Sequence, residues 1–309
     1  MRIVFMGTPE FAVSSLEALY GSGQDVALVV TQPDRPKGRG YVLTPSPVKV
    51  CALAHGTEVI TPDRMRDESV IEKLKSANAD MFIVTAFGKI LPQAVLDIPP
   101  MGCVNVHASL LPKLRGAAPI NRAIMNGDAV GGVTLMYMDA GMDTGDIISE
   151  HAIPIPGEWD AGDYHDALMA VGKDALKGFM ELCASGKRIP RRKQDPEKAT
   201  YAPKITGEDT LLDFNADSVS VFNRIRGLAP APCAYFTLGG KRIKVRKAEV
   251  SDGSGAPGEI ISCDRGGIEI ACGEGSVIIK ALCPEGRSPT DAESYLRGHR
   301  LEPGTKVNV

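Results

Sequence analysis

From residue 1 to about 150, short β-rich runs alternate with helical patterns, and no other feature narrows the folds open to this chain so far. The runs are residues 2–6, 25–31, 58–60, 80–86, 103–107 and 133–138. Between them, residues 15–20 and 69–77 set Leu16, Leu19, Val70, Ile71 and Leu74 at helical spacing, as core-facing stripes do. Strands alternating with helices build βαβ units, so the expected architecture is a Rossmann-like open, mainly parallel sheet. Sheets of this kind take ligands at the carboxyl edge of their strands.

The turns at that edge are therefore the places to look for chemistry. In the fifth run, Val104 and Val106 alternate with Asn105 and His107, so one face of the strand end presents an amide and an imidazole. The next residues, Ser109 to Gly116, hold a proline, a glycine and two bases, which end the strand and carry the backbone across the edge. A lone Asn-x-His is weak evidence, because a solitary histidine is more often structural. After the sixth run, residues 138–146 carry three acids and two glycines. Their spacing misses the EF-hand pattern, so the better reading is a carboxylate delivered to the edge. The turn at residues 86–92 closes the fourth run at the same edge, where backbone amides could meet a flat heterocycle.

The first turn, residues 7–12, follows a strand and opens a helix, with Thr8 available as N-cap and Pro9 tolerated in the first turn. It lacks the three-glycine spacing of a dinucleotide fingerprint, which argues against a nicotinamide cofactor. Residues 32–49 form a long proline-rich, glycine-rich, basic loop in which Lys37, Arg39 and Lys49 either meet phosphates or face solvent.

At 309 residues the chain exceeds the usual single domain. Residues 1–185 are read as the first domain, closed by a helical pattern from about residue 161, and residues 186–204 as a basic linker with prolines. Residues 205–309 change to short strands with glycine turns, the pattern of a small OB-like β-barrel, a common oligonucleotide binder. Strand alternation in residues 241–247 sends Ile243 and Val245 one way and Arg242, Lys244 and Arg246 the other, a row suited to a phosphate backbone or to plain solvent exposure. Between residues 204 and 309 there are 14 lysines and arginines against 14 acids, so only their placement makes a binding face.

A net charge of −3 does not by itself announce a nucleic-acid binder. Seven cysteines without a Cys-x-x-Cys pair fit reduced, mostly buried thiols. The apolar start is too short for a signal peptide and no run reaches the roughly 20 residues of a membrane span, so the chain is expected in the cytoplasm.

Residues 102–120 in full, Gly-Cys-Val-Asn-Val-His-Ala-Ser-Leu-Leu-Pro-Lys-Leu-Arg-Gly-Ala-Ala-Pro-Ile, resemble the signature of the enzymes that take a formyl group from 10-formyltetrahydrofolate. The resemblance implies that Asn105, His107 and Asp143 are catalytic, that Ser109, Leu110, Leu111 and Pro112 line the folate site, and that no metal is needed. Leu114 stands where that family often has an aromatic residue. The 7–12 turn, the 32–49 loop, residues 139–146 and the C-terminal barrel are similar to the branch acting on initiator methionyl-tRNA, and this likeness covers essentially the whole chain. It implies a monomer with the initiator tRNA and the folate as partners, Arg39, Arg242, Lys244 and Arg246 facing the tRNA, and no membrane. The rival expectations are a sugar-amine formyltransferase, a formyl-folate hydrolase and a non-catalytic RNA-binding protein.

Overall fold

In the computed structural model, which describes residues 1–37 and 40–308, the alternation of the first half becomes a seven-stranded sheet. In chain order come β1 (Arg2–Gly7), α1 (Glu10–Gly21), β2 (Asp25–Val30), a hairpin of β3 (Arg35–Lys37) and β4 (Val42–Thr44), α2 (Pro47–Ala54) and β5 (Val59–Ile60). Then follow α3 (Glu68–Ser76), β6 (Met81–Thr85), α4 (Gln93–Leu96), β7 (Cys103–His107), β8 (Arg115–Gly116), α5 (Pro119–Met125), β9 (Val130–Tyr137) and β10 (Ile147–Pro154). Next are α6 (Ala161–Ala184) and β11 (Tyr201–Ala202). The strand order is β10-β9-β7-β6-β1-β2-β5. Strands β5, β2, β1, β6 and β7 run parallel, and β9 turns antiparallel against β7.

Parallel strands covered on both faces read as near-continuous apolar runs, and β6 is buried at all five positions. Val4, Met6, Leu28, Val30, Phe82 and Val84 share one cluster with Leu74 of α3 and Val95 and Leu96 of α4. Truncating Phe82 to alanine would cost about 3–5 kcal/mol, the usual penalty for emptying an aromatic core position.

Three local expectations change. Residues 32–49 are not one structureless loop, since they contain the β3–β4 hairpin and the start of α2, capped by Ser46 Oγ accepting from the Lys49 amide at 3.0 Å. The Lys49 ammonium is held by Asp34 at 2.8 Å, and Arg39 lies outside the described residues. Pro9, not Thr8, occupies the N-cap of α1, and the Thr8 hydroxyl donates instead to the Phe87 carbonyl at 3.2 Å.

The chain divides into two compact units. The first takes residues 1–119, 130–153 and 165–202, and the second takes residues 120–129, 154–164 and 203–309. The second unit holds α7 (Gly207–Thr210), α8 (Ser218–Leu228), β12 (Tyr235–Leu238), β13 (Lys241–Ser251), β14 (Ile260–Asp264), β15 (Gly267–Ala271), β16 (Ser276–Pro284), β17 (Thr290–Asp291) and α9 (Ala292–Gly298). Its antiparallel sheet runs β12-β13-β16-β15-β14, with β17 paired to β16. The C-terminal tail joins the two edge strands: Ile260 N–H donates to Thr305 O at 2.8 Å, and Asn308 N–H to Thr237 O at 2.8 Å. The tail thereby satisfies edge groups of a curled sheet. Inside it sit Phe214, Ile225, Phe236, Val245, Ile270, Ile279 and Leu282. No described helix is long and apolar enough to cross a membrane.

Candidate active site

Strand β7 places the amide and the imidazole. Residues two apart share a strand face, so Asn105 and His107 project together, beside Val84 of β6 and Thr134 of β9 in register. Both are buried, at 9% and 6% exposure. The Asn105 side chain makes no hydrogen bond with the described residues, which leaves a donor and an acceptor at the carboxyl edge of the sheet.

The segment after β7 is built to stay put. Ser109 Oγ donates to the Lys113 carbonyl at 2.7 Å. The Thr134 hydroxyl donates to Ser109 O at 2.6 Å and accepts from Leu111 N–H at 3.1 Å. Leu111 packs with Met136 and Ile147, while Leu110 and Pro112 are half-buried. Leu114 adopts a left-handed backbone (φ 58°), and its carbonyl lies 3.2 Å from His107 Nε2.

Asp143 arrives from the loop between β9 and β10, also with a left-handed backbone (φ 55°), a strained conformation that Asp tolerates better than most residues. Its Oδ1 stands 3.7 Å from His107 Nδ1, and its Oδ2 accepts from Gly116 N–H at 2.8 Å. The first distance is long for a direct hydrogen bond, and closing it to a usual ~2.8 Å takes a shift of about 0.9 Å, of the size seen when catalytic groups tighten on substrate. Both imidazole nitrogens thus face acceptors, Leu114 O and Asp143 Oδ1. Gly116 sits at φ 121°, where a Cβ would come within 2.9 Å of Ala202 O, so glycine alone lets this N–H reach the carboxylate.

A brace behind Asp143 escaped the sequence reading. Gln194 Nε2 donates to Asp143 O and Gly145 O, both at 2.8 Å. Its Oε1 accepts from Arg115 Nε at 3.1 Å and Nη2 at 2.7 Å. Arg115 is only 5% exposed, and β8 around it pairs with β11. Residues 186–202, read from sequence as linker, thus reach the first unit's site through Gln194, Thr200 and Ala202. A buried arginine demands a partner, but the burial of Arg115 shows only in the structure, so the sequence carried no signal for Gln194. The other acids of the loop do different things: Asp139 Oδ1 accepts from Gly141 N–H at 3.0 Å and Thr144 Oγ1 at 2.6 Å, holding the turn. Burial pushes the Cys103 thiol on β7 up to about 12, so it stays protonated and inert at neutral pH.

In the second unit, β13 buries Ile243 and Val245 and leaves Arg242 and Arg246 exposed with Lys244 half-buried. The Arg242 guanidinium lies 4.2 Å over the Tyr235 ring, and Arg246 donates to Pro230 O at 3.3 Å. A cavity of about 390 Å³ adjoins this row, lined by Thr206, Gly207, Pro232, Tyr235, Arg242 and Lys244 among others. Arg242 and Lys244 thus share one basic, aromatic-floored hollow, with Arg246 farther along the strand.

Residues 1–178 match the family model described as formyl transferase, and residues 204–300 match that of the formyl transferase C-terminal domain. The methionyl-tRNA formyltransferase of Citrifermentans bemidjiense is 48% identical over 304 residues, covering 98% of this chain and 95% of that protein. The Neisseria meningitidis protein of the same name is 44% identical, covering 99% and 100%. Among solved structures, an N-formyltransferase from Helicobacter canadensis in complex with folinic acid and dTDP-3-aminofucose superposes with a TM-score of 0.65 at 20% identity, covering 90% of this chain and 98% of that one. HypX from Aquifex aeolicus in complex with tetrahydrofolic acid gives 0.63 at 18%, covering 96% of this chain and 47% of its own length. At such identities the structural likeness is one of fold.

Proposed function

This chain belongs to the formyl transferase family, and from that premise we propose how its residues move a formyl group from 10-formyltetrahydrofolate to the α-amine of methionine on initiator tRNA. The observation that carries the assignment of roles is the convergence of three groups at one sheet edge: the free Asn105 amide, the His107 imidazole and the Asp143 carboxylate 3.7 Å from it.

The neutral amine attacks the formyl carbon, a C–N bond forms, and the carbonyl electron pair moves onto oxygen. Asn105 donates to that oxygen through its amide, and His107 joins it by turning its Nε2 N–H from the Leu114 carbonyl onto the oxygen, so charge develops against donors close at hand. Asp143 fixes the imidazole and takes up the proton that the attacking nitrogen loses. The electron pair on oxygen then re-forms the C=O bond as the bond to folate N10 breaks with its own pair, and the proton taken up by Asp143 passes to N10. Ser109, Leu110, Leu111 and Pro112 are assigned to the folate wall, supported by their rigid hydrogen bonding beside His107.

On the tRNA we place Arg39, Arg242, Lys244 and Arg246. The support for the last three is an exposed basic row with an aromatic ring under one guanidinium, suited to phosphate and base contacts. The reading is of a monomer acting in the cytoplasm, where charged initiator tRNA enters translation. The test incubates the purified chain and formyl-folate with charged initiator tRNA, with a nucleotide-linked sugar amine, or with buffer alone. Formylation of the aminoacyl-tRNA alone is expected; formylation of the sugar, or free formate at the same rate in every arm, would overturn the substrate assignment.

A further inference from the structure

We propose that Glu17, Cys51 and His55, none of them among the formyl-transfer residues, form a site for one zinc-class divalent cation that ties α1 to α2. One carboxylate oxygen, one thiol sulfur and one imidazole nitrogen all lie within 4.8 Å of one another, the only such trio among the described residues. Glu17 Oε1 is 3.1 Å from Cys51 Sγ and 3.3 Å from His55 Nε2. Zinc bonds of about 2.0–2.3 Å make tetrahedral edges of about 3.3–3.7 Å, so these two edges need only a few tenths of an ångström to open onto an ion.

The sequence supplies this geometry simply. Cys51 and His55 are four residues apart on α2 and its C-cap, hence on one face, and Glu17 meets them from α1. The Tyr20 ring stacks on His55 at 3.9 Å and 13°, and the Tyr20 hydroxyl is itself bonded to Thr57 Oγ1 at 2.7 Å, which holds the imidazole's orientation. The Glu17 and His55 side chains are 45% and 39% exposed, so an ion has an entry path and a fourth position open to water. A mixed sulfur, nitrogen and oxygen donor set suits zinc and its neighbours rather than magnesium or calcium, which want oxygen alone. Binding breaks the Cys51 S–H bond, forms a metal–sulfur bond and sends the proton to solvent, replacing the hydrogen bond to Glu17.

The full chain, reduced and freed of metal with a chelator, is titrated with Co²⁺ and then Zn²⁺. One Co²⁺ per chain is expected, with a thiolate-to-cobalt absorption band that stoichiometric Zn²⁺ bleaches. C51S loses the band, H55A weakens zinc binding by about 100-fold or more, and C183S leaves both unchanged. Far-UV circular dichroism checks each variant, and H55A, a surface change, remains decisive should C51S fail to fold. A wild-type chain without the band, or C51S or H55A binding as tightly as wild type, would overturn the site.

Discussion

Gln194→Ala is the most telling perturbation, because Gln194 touches the reaction only through Asp143. The substitution deletes two bonds donated to the Asp143 and Gly145 carbonyls and the acceptor serving the buried Arg115 guanidinium. Neutral bonds contribute about 0.5–1.5 kcal/mol each and bonds to a charged group about 1.5–3. Water recovers part of this, so the stability loss should be on the order of 2–4 kcal/mol. The catalytic effect has another origin: freed of its clamp, the Asp143 loop can drift, and a misplacement of ~1 Å at a reacting group costs roughly 100-fold in rate, or ~2.7 kcal/mol. Gln194→Glu separates the two effects, since a carboxylate still pairs with Arg115 but meets the carbonyls with repulsion. Initial rates of formyl transfer should show kcat down by about 100-fold in both variants and KM for the folate within about threefold of wild type. Folded Gln194→Ala and Gln194→Glu proteins turning over within about threefold of wild type would refute the reasoning.

Asn105→Ala and His107→Ala should each lower kcat by about 100- to 1000-fold, the cost of one oxyanion donor, while filter binding shows tRNA affinity intact. Replacing Arg242, Lys244 and Arg246 together by glutamine should raise KM for tRNA, leave kcat near wild type, and flatten the salt dependence of binding by up to about 2–3 in log–log slope. In the second unit, Arg122 meets Asp209 in a two-pronged ion pair at 2.7 and 2.9 Å and holds its carboxyl down at about 2. A depressed carboxyl adds stability that is present above its ordinary value near 3.8 and is lost as the pH falls toward 2. Calorimetry between pH 5 and 2 should therefore show Asp209→Asn less stable at the upper end by about 1–2 kcal/mol after solvent screening, with the gap closing at the lower end.

What could be read from the linear chain, and what could not, divides along the reach of the interactions. The runs that became β1, β2 and β6 were legible because a strand covered on both faces is apolar nearly throughout, and β7 was legible because its valines alternate with Asn105 and His107. Strand β10 was missed: its buried start gives way to alternating half-exposed and exposed positions, as suits the sheet's edge. Helix α8 was missed although Asp217 caps it by accepting from Ser220 N–H at 2.8 Å, an Asp-x-x-Ser start that was there to be weighed against the glycine-rich strands around it. Asn105 and His107 could be paired from sequence because strand geometry joins them locally. Asp143 required a likeness to other proteins, since nothing local says that a loop 36 residues beyond His107 returns to it. Gln194 shows where such reasoning ends: its partners lie 51 and 79 residues away, and its amide carries no period, charge or turn preference that would point to them. The rigidity of a site assembled from separate loops therefore depends on residues chosen for hydrogen-bond valence at long range. Substitutions at such positions should disturb turnover well before they disturb the fold.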